Sequence, residues 1–287
     1  MLFRSVDWKD NAMMKASDSM GDIFKCKWTK FKSTATGQTA DMCVHPFSDI
    51  VSGSIVENGH WHHCDELSAY WNENIGNAGT NSVYIEIGAN IGSCVMEMLL
   101  GTNANIIAFE PHPMNQFVLK QTISKLDSTF QDRLTFVPVG LGHEQGTSTI
   151  YSAQNNMGNS VVGSIIKDNK RQRFEEKFQF QVPIERLDSI LKSDINVKLV
   201  KMDAQGFECN ILEGMGQAIA SGIEVIKFEY AKWWLDGQNC TDLFDRFHNY
   251  GFDVYELGQS GKWFGKPMKS APQGRGIKDF LAKREKA

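Results

Sequence analysis

The chain has 287 residues, which suits one large domain, or a core with an extension, and is too short for three domains. Hydrophobic residues make up 41% and charged residues 22%, a globular composition that excludes disorder, collagen and coiled coil for most of the chain. The net charge of −4 argues against a nucleic-acid binder. No apolar run approaches the ~20 residues of a membrane-spanning helix.

An acid at Asp7 interrupts the start of the chain before an apolar signal region can form. No secretory leader is therefore predicted, and a cytoplasmic location is the default, with a lumenal one left open if a leader was removed. Six scattered cysteines form no Cys-x-x-Cys pair, so reduced thiols are predicted; they are Cys26, Cys43, Cys64, Cys94, Cys209 and Cys240. The triplet Asn239-Cys240-Thr241 matches a glycosylation acceptor, a pattern that also arises by chance.

The first 75 residues lack a sustained hydrophobic period and are interpreted as an accessory region or substrate lid. From residue 76 to 261, apolar strands alternate with helices, which predicts a mainly parallel sheet covered on both faces. The predicted strands are 83–87, 106–109, 134–139, 197–202, 223–228 and 252–257, with edge strands at 147–151 and 178–184; the helices are 92–100, 114–126, 211–220 and 241–250. Residues 262–287 carry eight Lys or Arg and two acids, and are interpreted as a basic, solvated tail.

The most informative motif is the turn from Glu86 to Gly92, where a buried strand passes into a helix. Gly88 and Gly92 permit a tight turn, and the helix start offers free amide donors to an anion. Asn90 stands where a dinucleotide fingerprint has its second glycine, and Glu86 would repel a pyrophosphate. The turn thus favours a ligand with a cationic end, such as an ammonium or a sulfonium.

A second acid, Glu110, ends the next strand, 18 residues after Gly92. An acid at about this distance accepts hydrogen bonds from both ribose hydroxyls of an adenosine. The two motifs together predict a nucleoside cofactor, and the acid in the turn favours S-adenosyl-L-methionine over NAD. An NAD-linked oxidoreductase is the less favoured alternative.

A third group, Asp203 and Glu208, follows the strand that ends at Met202. The turn through Gly206 could bring the two carboxylates into one pocket, as substrate anchor, general base or divalent metal ligand. Glu208 could instead be a helix N-terminal acid that favours the macrodipole.

Several motifs stand in the order found in the FkbM-like methyltransferases, which the chain resembles from about residue 49 to 229. They are Glu86 to Gly92, Phe109-Glu110-Pro111-His112-Pro113, Arg186-Leu187-Asp188, Lys201 to Glu208 and Leu212-Glu213-Gly214. The resemblance implies a class I methyltransferase fold, with a seven-stranded, mainly parallel sheet and helices on both faces. It also implies S-adenosylmethionine-dependent O-methylation of a hydroxyl on a sugar or small natural product.

Carried over to this sequence, the resemblance places Glu86, Gly88 and Gly92 in the cofactor loop and Glu110 at the ribose. We also expect Asn90, Gly140, Leu141 and Asp203 to contact the cofactor. The chain departs from the family where Gln205 replaces a common Glu, which makes a metal site less certain, so no metal ligands are assigned.

Asp203 is predicted to be the base or a metal-linked acceptor anchor, supported by Glu208 and Glu229, with His112 and His143 as second candidates. The pocket could be roofed or walled by aromatic residues, namely Trp61, Tyr70, Trp71, Trp233 and Trp234. A small-molecule or carbohydrate acceptor is expected, its specificity set by the N-terminal region, the 155–164 loop and the residues after Glu229. A non-catalytic module of the same fold and an N-methyltransferase of a small amine remain alternatives. Nothing in the sequence indicates the oligomeric state.

Overall fold

A computed structural model of the chain describes residues 24–76, 81–153, 156–163, 174–192, 194–258, 263–274 and 276–284. Residues 1–23 of the predicted accessory region, both ends of the 155–164 loop, and 262, 275 and 285–287 of the predicted tail lie outside these ranges. Among the described residues, the helices are too short or too polar to span a lipid bilayer.

The strands in chain order are β1 (Lys27–Lys32), β2 (Thr39–Val44), β3 (Ser82–Ile87), β4 (Asn105–Phe109), β5 (Leu134–Val137), β6 (Gly140–Leu141), β7 (Gly146–Ala153), β8 (Val161–Val162), β9 (Phe174–Glu185), β10 (Asn196–Met202), β11 (Val225–Ala231), β12 (Phe252–Leu257), β13 (Phe264–Met268) and β14 (Ile277–Arg284). The helices are α1 (Ile50–Asn58), α2 (Asp65–Tyr70), α3 (Ser93–Gly101), α4 (Pro113–Lys125), α5 (Ser128–Gln131), α6 (Leu187–Ile190), α7 (Glu208–Gly214), α8 (Gly216–Ala220), α9 (Lys232–Gly237) and α10 (Leu243–Asn249). The helix predicted at 211–220 is thus two short helices, α7 and α8.

The central sheet has eight strands among the described residues, in the order β13–β12–β14–β11–β10–β3–β4–β5. The run from β11 to β5 is parallel, whereas β14 lies antiparallel between β11 and β12. The predicted α/β class is confirmed, with β13 as an eighth strand at the edge beyond the seven expected. A four-stranded sheet, β6–β9–β7–β8, and the β1–β2 hairpin stand beside it.

Helices cover both faces of the sheet because the apolar side chains of its strands alternate in direction. On one face Ile85 and Val200 pack in a cluster with side chains of α7 and α10. On the other face Tyr84 and Leu199 pack in a second cluster with side chains of α1 to α4.

The N-terminal region has more structure than its sequence indicates. Between residues 24 and 76 it forms the β1–β2 hairpin, α1, α2, a 3₁₀ turn at His62–Cys64 and a π-helix at Trp71–Ile75. Phe31, Ile55 and Trp71 are buried in the same cluster as Tyr84. This part of the region is therefore built into the core on one face of the sheet.

The prediction of a solvated tail is wrong for residues 277–284, which form β14. β14 pairs with β11 on one side and with β12 on the other, and it buries Phe280, Leu281 and Ala282 completely. The basic residues around these side chains concealed the strand, because net charge along a segment does not reveal which positions are buried.

The prediction of reduced thiols is also wrong, since all six cysteines are paired. The disulfides are Cys26–Cys43, Cys64–Cys94 and Cys209–Cys240, with partners 17, 30 and 31 residues apart. Tertiary packing brings these residues together over distances at which sequence spacing carries no information about pairing.

Candidate active site

The turn between β3 and α3 has the conformation that its glycines predict. Gly88, Asn90 and Gly92 all adopt positive φ, at 81°, 52° and 90°. A side chain at Gly88 would put its Cβ 2.0 Å from the carbonyl oxygen of Asp203, so the two loops approach closely only because position 88 is glycine. A Cβ built at Gly92 would lie 2.4 Å from Leu119 Cδ1, so a side chain at this position would also collide with its neighbour.

Glu110 ties the end of β4 to this turn. The backbone N–H of Asn90 donates to Glu110 Oε2 over 2.6 Å, and that of His112 donates to Oε1 over 2.8 Å. Burial raises the pKa of Glu110 to about 7, although these two hydrogen bonds act in the opposite direction. Glu86 and Glu110, predicted to hold one ligand, do border the same cavity.

Glu86 is engaged by a buried lysine that the sequence analysis gave no role. β3 and β10 pair in register at Glu86 and Lys201, and Lys201 Nζ lies 3.0 Å from Glu86 Oε1 and 3.3 Å from Asp203 Oδ2. The hydroxyl of Tyr84 also donates to Glu86. Burial raises the pKa of Glu86, and Lys201 opposes this rise. Part of the charge of Glu86 is thus neutralised inside the protein.

Asp203 and Glu229 are held together by the side chain of Gln205. The Gln205 amide nitrogen donates to Asp203 Oδ1 over 2.7 Å and to Glu229 Oε2 over 3.0 Å. Gln205 is buried and has a φ of 51°. Burial, followed by the charge of Asp203, raises the pKa of Glu229 well above its usual range. Two carboxyl groups therefore face one amide at the end of adjacent strands.

Glu208 behaves differently from the other predicted catalytic acids. It is 1% exposed and does not line the cavity. Its Oε1 accepts the N–H of Ala204 over 3.0 Å, while Oε2 is buried with no hydrogen-bond partner among the described residues. Burial raises its pKa to about 7. Glu208 thus stabilises the turn that follows Asp203 without lining the cavity.

A second buried lysine lies on the neighbouring strand. Lys227 Nζ is 2.6 Å from Glu66 Oε1 and 2.9 Å from Asp279 Oδ2, and donates to the carbonyl of His63 over 3.2 Å. Although burial alone would lower it, the two acids raise the pKa of Lys227. This cluster joins α2, β11 and β14 beside Glu229.

The four acids Glu86, Glu110, Asp203 and Glu229 and both buried lysines border one cavity with about 160 Å³ of water-accessible space. The predicted site residues on its wall are Glu86, Gly88, Asn90, Glu110, Gly140, Leu141, Asp203 and Glu229, whereas Gly92 and Glu208 are not on it. The 156–162 segment of the predicted specificity loop also lines the cavity. Among the described residues, no group of three His, Cys, Asp or Glu side chains is placed to hold a metal ion.

Neither histidine proposed as a second base lies on this wall. His112 is completely buried, its Nε2 is 2.7 Å from Ser152 Oγ, and burial lowers its pKa to about 3, so it is neutral and caps α4. His143 lies in an exposed turn beside Glu144. Of the aromatic residues suggested as pocket walls, Trp61 lines the cavity, while Tyr70 and Trp71 belong to the core.

Sequence reasoning missed Lys201, Lys227 and Asp279. Each lysine interrupts a run of apolar residues in a predicted core strand, and that anomaly was available as a signal, because lysine is seldom buried unless it is paired. Asp279 offered no such signal, since it lies in the segment interpreted as a tail.

The family model for the methyltransferase FkbM domain matches residues 86–254, more than half of the chain. No curated protein sequence matches significantly. The chain is similar to the solved structure of magnesium protoporphyrin IX methyltransferase from Synechocystis with bound SAM, at 10% identity over 82% of this chain and 84% of that one, with a TM-score of 0.41. It is also similar to TYW2 from Pyrococcus horikoshii with MeSAdo, at 13% identity over 90% of this chain and 70% of that one, with a TM-score of 0.40. A third similar structure is precorrin-6y C5,15-methyltransferase from Geobacter metallireducens, at 12% identity over 77% of this chain and 89% of that one, with a TM-score of 0.37.

These structural likenesses are too distant to support an argument, and the fold assignment rests on the strand order and on the family match. The matched region begins at Glu86, the first acid of the cavity, and ends within β12. It contains both motifs predicted to bind the cofactor. The match to a methyltransferase domain supports the prediction that this cofactor is S-adenosyl-L-methionine. The chain belongs to the FkbM methyltransferase domain family.

Proposed function

We propose that the chain is an S-adenosylmethionine-dependent O-methyltransferase acting on a hydroxyl of a sugar or small natural product. The observation that carries the proposal is the single cavity that joins the Glu86–Gly92 turn and Glu110 to the Asp203–Gln205–Glu229 group. The turn and Glu110 have features suited to binding a nucleoside. Asp203 and Glu229 have carboxyl groups suited to hydrogen bonding with a hydroxyl.

The residues present fit the cofactor. Asn90 Oδ1 is buried without a hydrogen-bond partner among the described residues, which leaves an acceptor in the cofactor half of the cavity. An ionised carboxylate has about four acceptor positions, and three groups, Asn90 N–H, His112 N–H and Asn115 Nδ2, approach those of Glu110. A position therefore remains on Glu110 for a ribose hydroxyl.

When bound, S-adenosylmethionine supplies a methyl group on a positively charged sulfur. The protein must align the acceptor oxygen with that group, and such positioning is worth roughly 7–11 kcal/mol. Asp203 is the side chain that we assign to accept the hydroxyl proton, because its carboxylate borders the cavity. Gln205 fixes the direction of that carboxylate, and Lys201 lies 3.3 Å from its Oδ2.

Glu229 supports the same acceptor. Burial raises the pKa of Glu229 well above the usual range, which favours the protonated form. In that form Glu229 can donate a hydrogen bond to the acceptor molecule. Trp61 offers an apolar surface on the same cavity, against which a sugar ring can pack. Acids beside an aromatic side chain are the chemistry expected for a polyhydroxylated acceptor.

The first test is a calorimetric titration of the full chain with S-adenosylmethionine. We expect Glu110→Ala to weaken binding at least tenfold, and Glu144→Ala, an exposed acid outside the cavity, to leave it unchanged. Equal binding by the two variants would remove the ribose role of Glu110.

The second test separates methyl acceptors by class. Radiolabelled S-adenosylmethionine is incubated with free sugars, the same sugars already O-methylated, and small amines. We expect label on the free hydroxyls alone. Label on amines would favour N-methylation, and cofactor binding without transfer to any acceptor would favour a non-catalytic module.

A further inference from the structure

The loop between α9 and α10 presents a modification motif whose residues do not line the cavity. Asn239-Cys240-Thr241 is the sole Asn-x-Ser/Thr triplet in the 287-residue sequence. Asn239 and Thr241 are exposed, whereas Cys240 is 2% exposed. The two residues that a glycosylation acceptor requires therefore face solvent on either side of an inward-pointing residue.

The local backbone presents Asn239 at the end of a helix. Its φ is 57°, in the left-handed region that Asn tolerates better than most residues. The N–H of Asn239 donates to the carbonyl of Asp236, and that of Cys240 donates to the carbonyl of Leu235 over 2.8 Å. These bonds attach the main chain of Asn239 and Cys240 to α9. Asn239 itself remains exposed at the surface.

The pairing of all six cysteines is an independent observation about the same chain. Cys240 itself is bonded to Cys209, and two other disulfides lie in the N-terminal half. Disulfides form and persist in oxidising compartments and are rare where thiol reductants are abundant. The secretory lumen is such a compartment, and Asn-x-Ser/Thr triplets are glycosylated there.

We propose that Asn239 is an N-glycosylation site and that the chain matures in an oxidising secretory lumen. In the modification, a bond forms between Asn239 Nδ2 and the anomeric carbon of an oligosaccharide. The bond that breaks joins that carbon to the pyrophosphate of a lipid-linked donor, which is the leaving group, and a base removes one amide proton. Each disulfide forms when two thiols pass two electrons and two protons to the disulfide of an oxidoreductase of the same lumen.

The experiment begins with the full-length protein isolated from its own cells. We expect an amidase that removes N-glycans to increase its electrophoretic mobility and to convert Asn239 to Asp in the peptide mass spectrum. Alkylation of the unreduced protein in denaturant, which exposes the buried cysteines, should label none of them. An unchanged mobility, or six alkylated cysteines in the unreduced, denatured protein, would overturn the proposal.

Variants in the triplet test whether Asn239 is the residue that carries the glycan. In cells that secrete the chain behind a cleavable leader, we expect Asn239→Gln and Thr241→Ala each to migrate like the amidase-treated protein, while Thr241→Ser keeps the glycan. Asn249→Gln, which changes an exposed Asn outside any triplet, is the matched control and should keep it. A secreted, folded Thr241→Ala protein that still carries the glycan would exclude Asn239. Cofactor titration of the same samples tests the methyltransferase proposal separately.

Discussion

At the scale of single residues, Asp203 has the largest expected effect on the proposed reaction. Its carboxylate is 31% exposed and borders the cavity, with Gln205 and Lys201 on either side. We expect Asp203→Asn to lower kcat about 10²–10⁴-fold, because the amide cannot accept the acceptor's proton. Initial rates with an identified acceptor measure this. Asp236→Asn, which removes an exposed acid paired with Lys232, is the control and should keep wild-type turnover. A loss of cofactor binding without a loss of kcat would assign Asp203 to the cofactor alone.

The proposed ribose role of Glu110 predicts how cofactor binding depends on pH. Because burial raises its pKa to about 7, the carboxyl becomes protonated as the pH falls below 7 and loses acceptor capacity. The Kd for S-adenosylmethionine should therefore rise at acid pH, by up to about tenfold per pH unit if only the ionised form binds. Titrations between about pH 5.5 and about pH 8.5, a range that spans this pKa, measure the slope. Glu110→Gln should flatten it, and an equal slope in that variant would mean that another group titrates.

We expect Glu208 to affect stability rather than chemistry, because it is buried and does not line the cavity. Burial raises its pKa from 4.5 to about 7, so the folded chain keeps a proton that the unfolded chain releases as the pH rises between these values. The free energy of unfolding should therefore decrease from about pH 4.5 to about pH 7, with a share from Glu208 of about 3 kcal/mol at most. Urea denaturation of Glu208→Gln should show a smaller decrease. An identical pH dependence in wild type and variant would contradict this assignment.

At the scale of elements, the Cys64–Cys94 disulfide joins the segment before α2 to the first turn of α3. Cys94 lines the cavity, and so do Trp61 and His63 from the segment that Cys64 anchors. Replacing both cysteines by Ser should cost about 3 kcal/mol of stability and should also raise the KM for the acceptor, because the segment is no longer fixed over the cavity. Replacing Cys26 and Cys43, which close the β1–β2 hairpin away from the cavity, should lower stability without changing KM. Equal KM changes in the two double variants would contradict this role.

The same elements show what sequence reasoning can reach. The turn at Gly88 and the acids at the ends of successive strands were predictable, because both follow from local backbone conformation and from the rule that parallel strands end at one edge of the sheet. The contacts that neutralise these acids were not predictable. The 3.0 Å pair of Lys201 with Glu86 depends on the register of β10 against β3, and the cysteine pairs depend on packing between distant segments. Neither register nor packing is specified by spacing along the chain.

At the scale of the whole molecule, the site depends on the sheet being complete. The charged side chains at the carboxyl edge extend across four neighbouring strands, β3, β10, β11 and β14, on the face covered by the N-terminal region. Asp279 comes from the last of these strands, and burial works against its charge, yet Lys227 holds its pKa below the usual range. The C-terminal segment thus contributes both a strand and a wall residue, which makes the fold and the cavity inseparable.

This dependence predicts the consequence of weakening β14. Phe280 is completely buried among the aromatic side chains of Phe228, Tyr230 and Phe244, with ring centroids 5.1–5.9 Å away. Phe280→Ala should lower the free energy of unfolding by about 3–5 kcal/mol, through lost burial and the cavity left behind. Lys278→Ala, on the same strand but exposed, removes a surface ion pair with Glu256 and should change it by less than about 1 kcal/mol. Denaturant titration compares the two. If Phe280→Ala were as stable as Lys278→Ala, the segment would not belong to the core of the sheet, because a solvated tail tolerates both changes equally.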